Sequence, residues 1–101
     1  MRKQGIEELH KQAESGDEES QFKLGFAYYH GEGVQKDSKK AVHWWKKSAE
    51  QGYAKAQFKL GMAYYFGISV IQDDMQAVYW HTKAAEQGDI KARATLEQWG
   101  K

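Results

Sequence analysis

The stretch Leu24-Gly25-Phe26-Ala27-Tyr28-Tyr29-His30-Gly31 comes back 36 positions later as Leu60-Gly61-Met62-Ala63-Tyr64-Tyr65-Phe66-Gly67. That recurrence leaves a chain of this length few ways to fold. Laid over one another without a gap, residues 20–55 and 56–91 agree at 20 of 36 positions. Agreement at that level exceeds what shared composition produces, so both units must form the same local structure and bury the same face. There is no proline, while aromatics reach 14%; the pairing suits uninterrupted helices packed through large side chains.

Within each unit the apolar spacing is helical. Residues 18–30 place Ser20, Leu24, Tyr28 and Gly31 on one stripe and Phe22, Phe26 and Tyr29 on a neighbouring one, so this first, A-type helix is covered on two sides. Gly25 inside it costs about 1 kcal/mol relative to Ala, and its return as Gly61 implies that another helix backbone presses against that point. After a loop at Gly31–Lys36, Asp37 is the expected N-cap of a B-type helix lined by Ala41, Val42, Trp44, Trp45, Ser48 and Ala49. Trp44 recurs as Trp80 and is therefore core; Trp45 is matched by His81 and is expected to be the more exposed ring. The second unit repeats the plan, with a helix near 54–66, a cap at Asp73 or Asp74, and a helix to about Gln87 that turns Ala77, Val78, Trp80, Ala84 and Ala85 inward.

The flanks continue the pattern. Ile6, Leu9 and Ala13 lie at helical spacing between Lys3 and Glu14, and a shift of 36 brings Ile6 onto Val42, Ala13 onto Ala49 and Gly16 onto Gly52. That segment is a B-type half-unit capping the start, and Asp17 is the N-cap of the helix that follows. Residues 90–99 begin a third A-type helix that keeps Ala92 and Leu96 but carries Glu97 where Gly25 and Gly61 stood, as a terminal capping helix tolerates. The expected architecture is all-α: one α-α superhelix, a solenoid of antiparallel pairs with six helices, divided into 1–19, 20–55, 56–91 and 92–101.

The residues match a known pattern. Ser20, Leu24-Gly25, Tyr28, Gly31, Gly33-Val34, Asp37, Ala41, Trp44, Ser48-Ala49 and Gly52 resemble the signature of a Sel-1-like repeat, the 36-residue relative of the tetratricopeptide repeat. Ala56, Leu60-Gly61, Tyr64, Gly67, Val70, Asp73, Ala77, Trp80, Ala84-Ala85 and Gly88 form the second set. One departure stands out: Ser69 replaces Gly33 within the apolar loop Ile68-Ser69-Val70-Ile71, so a positive φ at that position would strain or reshape the loop. The resemblance implies a scaffold or adaptor that binds a protein or peptide, found in bacteria and in eukaryotic quality-control assemblies, with no catalysis and no cofactor. In the related tetratricopeptide fold the groove is lined by A-type helices. Carried over by the positions of Gly25 and Gly61, the groove residues are Phe22, Phe26, Tyr29 and His30, then Phe58, Met62, Tyr65 and Phe66. Lys23, Lys55, Lys59 and Lys91 lie on or beside this face, which suits an extended or helical segment carrying apolar anchors and acidic residues. Phe22 and Phe58 also fit as packing between A-type helices.

Other functions find little footing. Lys plus Arg is 15 against 14 for Asp plus Glu, and the net charge of +1 gives no long-range pull toward nucleic acid or an anionic membrane. The basic stretch Lys36, Lys39, Lys40, Lys46 and Lys47, interleaved with Trp44 and Trp45, resembles a nucleic-acid surface only superficially. Gly31-Glu32-Gly33 follows a helix rather than the strand that a dinucleotide loop needs. The four histidines do not pair at helical spacing and are read as solvated, and with no cysteine there is neither a thiolate metal site nor a disulfide. Glu14, Asp17, Glu18 and Glu19 surround a helix junction and read as capping residues, not as acid-base machinery. No apolar run approaches the roughly 20 residues of a membrane span, and Met1 to Glu8 lacks a signal-peptide core, so a cytoplasmic location is expected for the sequence as it stands, and a periplasmic or secreted one if a signal peptide has been removed. From a different class, the chain could be a self-associating structural unit joined through apolar ends such as Ile90, Leu96 and Trp99, or Ile68 and Ile71.

Overall fold

The computed structural model describes residues 3–100. Met1, Arg2 and Lys101, which belong to the expected end caps, lie outside the described residues. Six helices follow one another: α1 (Lys3–Glu14), α2 (Glu18–His30), α3 (Ser38–Glu50), α4 (Ala54–Phe66), α5 (Asp74–Glu86) and α6 (Ile90–Trp99). Among the described residues there is no strand. Each helix packs chiefly on its neighbours in sequence, giving an elongated stack of 45 × 24 × 18 Å.

Local chemistry explains the boundaries. Asp17, Asp37, Asp73 and Asp89 each accept the backbone N–H three residues on, at 2.9–3.1 Å, which satisfies an otherwise orphaned donor of the first turn. Hydrogen bonds from Ser20 hold the Asp17 carboxyl below its ordinary value. Tyr53 occupies the corresponding position before α4 and makes no side-chain cap; its ring instead packs on Phe22 with centroids 5.5 Å apart. Burial, together with the nearby acidic side chains of Glu19, Glu18 and Asp17, pushes the Tyr53 phenol up.

The core runs along the stack. Ile6, Leu9 and Ala13 of α1 join Leu24, Ala27 and Tyr28 of α2, the α3 face from Ala41 to Ala49, and Ala56, Leu60 and Ala63 of α4. The joints between units are polar and identical. Buried Gln21 donates to the Ala13 carbonyl at 3.1 Å, and Gln51 donates to the Gly16 carbonyl at 2.7 Å and to Gln21 Oε1 at 2.9 Å. One unit later Gln57 reaches Ala49, and Gln87 reaches Gly52 and Gln57 Oε1, at 3.2, 2.7 and 3.0 Å. These amides give the Ala13 and Ala49 carbonyls a second donor beside the Gly16 and Gly52 N–H groups, and meet the Gly16 and Gly52 carbonyls in the turns that follow.

Several expectations are corrected by the packing. Trp45 is only 3% exposed and His81 is fully buried, because each ring packs against the helix glycine opposite. A Cβ on Gly25 would fall 2.5 Å from Trp45 Cδ1, nearer than the Ala41 carbonyl oxygen at 3.0 Å, and at Gly61 it would run into the His81 imidazole. Gly25 therefore admits both a ring and the backbone of α3, and Gly61 admits the imidazole. His10, read as solvated, is half-buried and lies 3.2 Å from the Tyr28 hydroxyl, edge-on to Trp44. Val78, expected to face inward as Val42 does, is 45% exposed beside an open cavity, and Trp80 is only half-buried. Ser69 adopts φ +56°, matching Gly33 at +75°, so the backbone is conserved and the serine bears the strain. Its hydroxyl pairs with that of Ser38 at 2.9 Å.

Candidate functional site

The A-type helices α2, α4 and α6 line a continuous trough. At one end a cavity of about 530 Å³ is walled by Phe22, Phe26 and Phe58 and rimmed by Lys55, Lys59 and Lys91. It shares Phe58 and Lys59 with a cavity of about 200 Å³, which adds Tyr29, Trp45, Met62, Phe66 and Ile68. That one in turn shares Met62 and Phe66 with a third of about 770 Å³, which runs on to Tyr65, Val78 and Trp99. Seven of the eight sequence-assigned residues thus line one trough; His30 is exposed beside it, its ring 4.2 Å from that of Phe26.

The eight are not equally available. Phe66 is 62% exposed, and Phe26 and Met62 are half-buried. Tyr29 rests on Trp45 at 5.3 Å and Phe58 on His81 at 4.9 Å, so each is both wall and core. Tyr65 stacks on Trp99 with centroids 4.4 Å apart and planes 14° from parallel. Trp99 stands where Ala27 and Ala63 stand in the earlier units, and its ring fills the space over His81, 4.6 Å away. Trp99, Trp45 and His81 are the site-supporting residues that sequence reasoning missed; the signal was available in Trp99, whose bulk breaks the small-residue pattern of its position.

The charge is polarised along the trough. Lys55, Lys59 and Lys91 gather at the 530 Å³ end, where the one acidic lining residue, Asp89, is engaged in capping α6. Lys23, expected beside them, instead lies 3.9 Å from Glu19. At the far end Asp74 accepts a hydrogen bond from Gln72. His81 places Nε2 3.1 Å from the Phe58 carbonyl oxygen, and its Nδ1 has no partner among the described residues. Burial pulls its pKa below the ordinary 6.5, so at neutral pH the ring packed beneath Phe58 and Trp99 is uncharged. Among the described residues no three His, Cys, Asp or Glu side chains come together in a way that could hold a metal ion, and no helix is long and apolar enough to cross a membrane.

A protective antigen of uropathogenic Escherichia coli with an SLR fold is 42% identical at a TM-score of 0.86; the match covers 90% of this chain and 20% of that one, so the chain spans about a fifth of its length. A Sel1 repeat protein from Oxalobacter formigenes is 40% identical at a TM-score of 0.89, over 90% of this chain and 68% of that one. Cysteine rich protein B of Helicobacter pylori is 28% identical at a TM-score of 0.87, over 94% and 72%. No curated protein matches the sequence. Sel1 repeats are in general protein-interaction repeats rather than catalysts. The family pattern described as Sel1 repeat matches residues 18–53 and again 54–89, and with helix pairs that repeat in the same register, the chain belongs to the Sel1 repeat family.

Proposed function

We propose that this chain is an adaptor that grips a segment of a partner protein in the trough formed by α2, α4 and α6. The observation that carries this reading is the row of apolar walls: Phe22, Phe26, Tyr29, Phe58, Met62, Tyr65 and Phe66 border three adjacent cavities that share lining residues. Lysines at one end and apolar rings along the length suit an extended or helical segment whose acidic residues precede apolar anchors. Rings already held by packing on Trp45, His81 and Trp99, as Tyr29, Phe58 and Tyr65 are, lose little freedom on binding, and Met62 adapts its shape to the segment bound.

The test is capture of partners from the source cell by immobilised protein, comparing the wild type with F66A/M62A and with K59E. Phe66 meets only the edge of Tyr65, at 5.0 Å, whereas Tyr29, Phe58 and Tyr65 pack on Trp45, His81 and Trp99. Partner recovery is expected to fall at least about tenfold while the circular-dichroism melt shifts little, since interface anchors of this kind are worth roughly 1–3 kcal/mol each. Undiminished capture by both variants would sink the proposal. A second reading, self-association through the array ends, draws support from Val78 and from Ile90, which is almost fully exposed; Leu96 and Trp99 are already half-covered and contribute less. Light scattering over a concentration series separates the two readings.

A further inference from the structure

The B-type helices carry a second surface on the opposite side from the trough. On α3 the exposed residues Lys39, Lys40, His43, Lys46 and Lys47 fall within an arc of roughly 120° at about 100° per residue. Trp45, which faces α2 and the trough, lies about 200° round the helix from His43. None of these lysines is in an ion pair among the described residues. Asp37, just before them in sequence, is committed to capping α3, and Glu50, exposed in the same arc one turn beyond Lys46 and Lys47, is the one acidic side chain on this face of α3.

The matching positions of α5 are Met75, Gln76, Tyr79, Thr82 and Lys83. Met75 is 84% exposed and Tyr79 50%, and Ile71 just before the helix is 90% exposed. Continuation of the array does not account for them. Gln35, Lys39 and His43, their counterparts in the first unit, stay exposed although a whole unit follows. Val42, by contrast, is buried there, so exposed Val78 is a position that stacking covers and does not belong to this face. Ile71, Met75 and Tyr79 are thus apolar side chains on a face that the fold itself leaves open, in numbers that an isolated surface residue would not explain. The hydroxyl pair Ser38–Ser69 ties the start of α3 to the loop that carries Ile71, which sets the basic stripe and the apolar stripe side by side. Tyr79 also borders a recess of about 480 Å³ that it shares with Trp80, Lys83 and the C-terminal end of α3.

From this juxtaposition we infer that the outer face of α3 and α5 is a second protein-docking surface, taking a helical segment that sets acidic side chains on Lys39 and Lys46 and apolar ones on Ile71, Met75 and Tyr79. Charge complementarity selects the occupant: four lysines against one glutamate on α3, beside an apolar row on α5, fit an amphipathic helix with one acidic edge. The surface is independent of the trough, so the chain can hold two partners at once.

A displayed random-peptide library panned against the whole chain tests this. Selected peptides are expected to be rich in Glu or Asp beside apolar residues at three- and four-residue spacing. Their binding should fall at least tenfold with M75E/Y79E and with K39E/K46E, weaken as salt rises, and persist with the trough variant F66E. All the substituted side chains are at the surface, and unchanged circular dichroism verifies the fold. Recovery of no binders, binders without acidic bias, or binders lost only with F66E would overturn the inference. So would flotation of the wild type, but not of M75E/Y79E, with phosphatidylglycerol vesicles in the absence of peptide binding, which would assign the face to a membrane. Concentration-dependent self-association abolished by M75E/Y79E would assign it to a second copy.

Discussion

Ser69 shows how one side chain can be out of step with a backbone that the rest of the unit dictates. It sits in the left-handed region because the turn after α4 is closed at both ends, by Ile68 N–H to the Ala63 carbonyl and Asp73 N–H to the Tyr64 carbonyl. A non-glycine residue there costs roughly 1–2 kcal/mol, offset in part by its exposed hydroxyl bond to Ser38. Replacing Ser69 with Gly should therefore raise stability by about 0.5–1 kcal/mol in urea titration, and Ser69→Val should lower it by more than that, because a β-branched residue is least tolerant of positive φ. His81 is a second residue whose environment is imposed on it. Its folded-state pKa is lowered by burial, so the unfolded chain takes up the proton more readily. The stability this neutral ring contributes is complete above its ordinary 6.5 and is lost as pH falls below that value toward the lower folded-state pKa. An NMR titration of the imidazole should give a midpoint below 6.5, and His81→Phe should flatten that part of the pH-stability curve. A midpoint at or above 6.5 would contradict the buried placement.

At the scale of helices, the boundaries were readable because their causes are local. An Asp three residues before a bonded N–H, or a Gly after the last periodic residue, acts within one turn, and both recur at the 36-residue interval. The partners of each helix face were less readable. The ring of Trp45 against Gly25, and of His81 against Gly61, is a relation between two helices; Trp and His share no hydrophobic index that would mark them as equivalent, so an expectation of exposure followed from sequence and failed in packing. Val78 was misplaced for a related reason, since its counterpart Val42 is covered by neighbours that differ around α5. The buried glutamines were legible in principle: polar residues at identical places in both units are not retained by composition. Gln57 and Gln87 hold the joint between α3, α4 and α5. Gln57→Leu would leave the Ala49 carbonyl without its side-chain donor and Gln87 without its acceptor, and should cost about 1–3 kcal/mol, measurable as a lower urea midpoint with an unchanged m-value.

For the whole molecule, the trough was legible as a face but not as a shape. Helical spacing put Phe22, Phe26, Phe58 and Met62 on one side; which of them are wall and which are core depends on how α6 closes the end, where Trp99 covers Tyr65 and His81 at once. The stack is quasi-linear, so stability accrues unit by unit together with each interface. An added tandem copy of residues 56–91 should fold and raise the melting temperature, and a copy that lowers it would show that the end contacts are specific to this arrangement. The glutamine joint gives that expectation a genetic meaning. Because every unit brings both the donor amides and the carbonyls they meet, a misaligned crossover between the two repeat-coding stretches would delete or insert one whole unit and leave no joint without its partners. Groove length is therefore a trait that can change by recombination in single steps, without passing through a misfolded intermediate gene product.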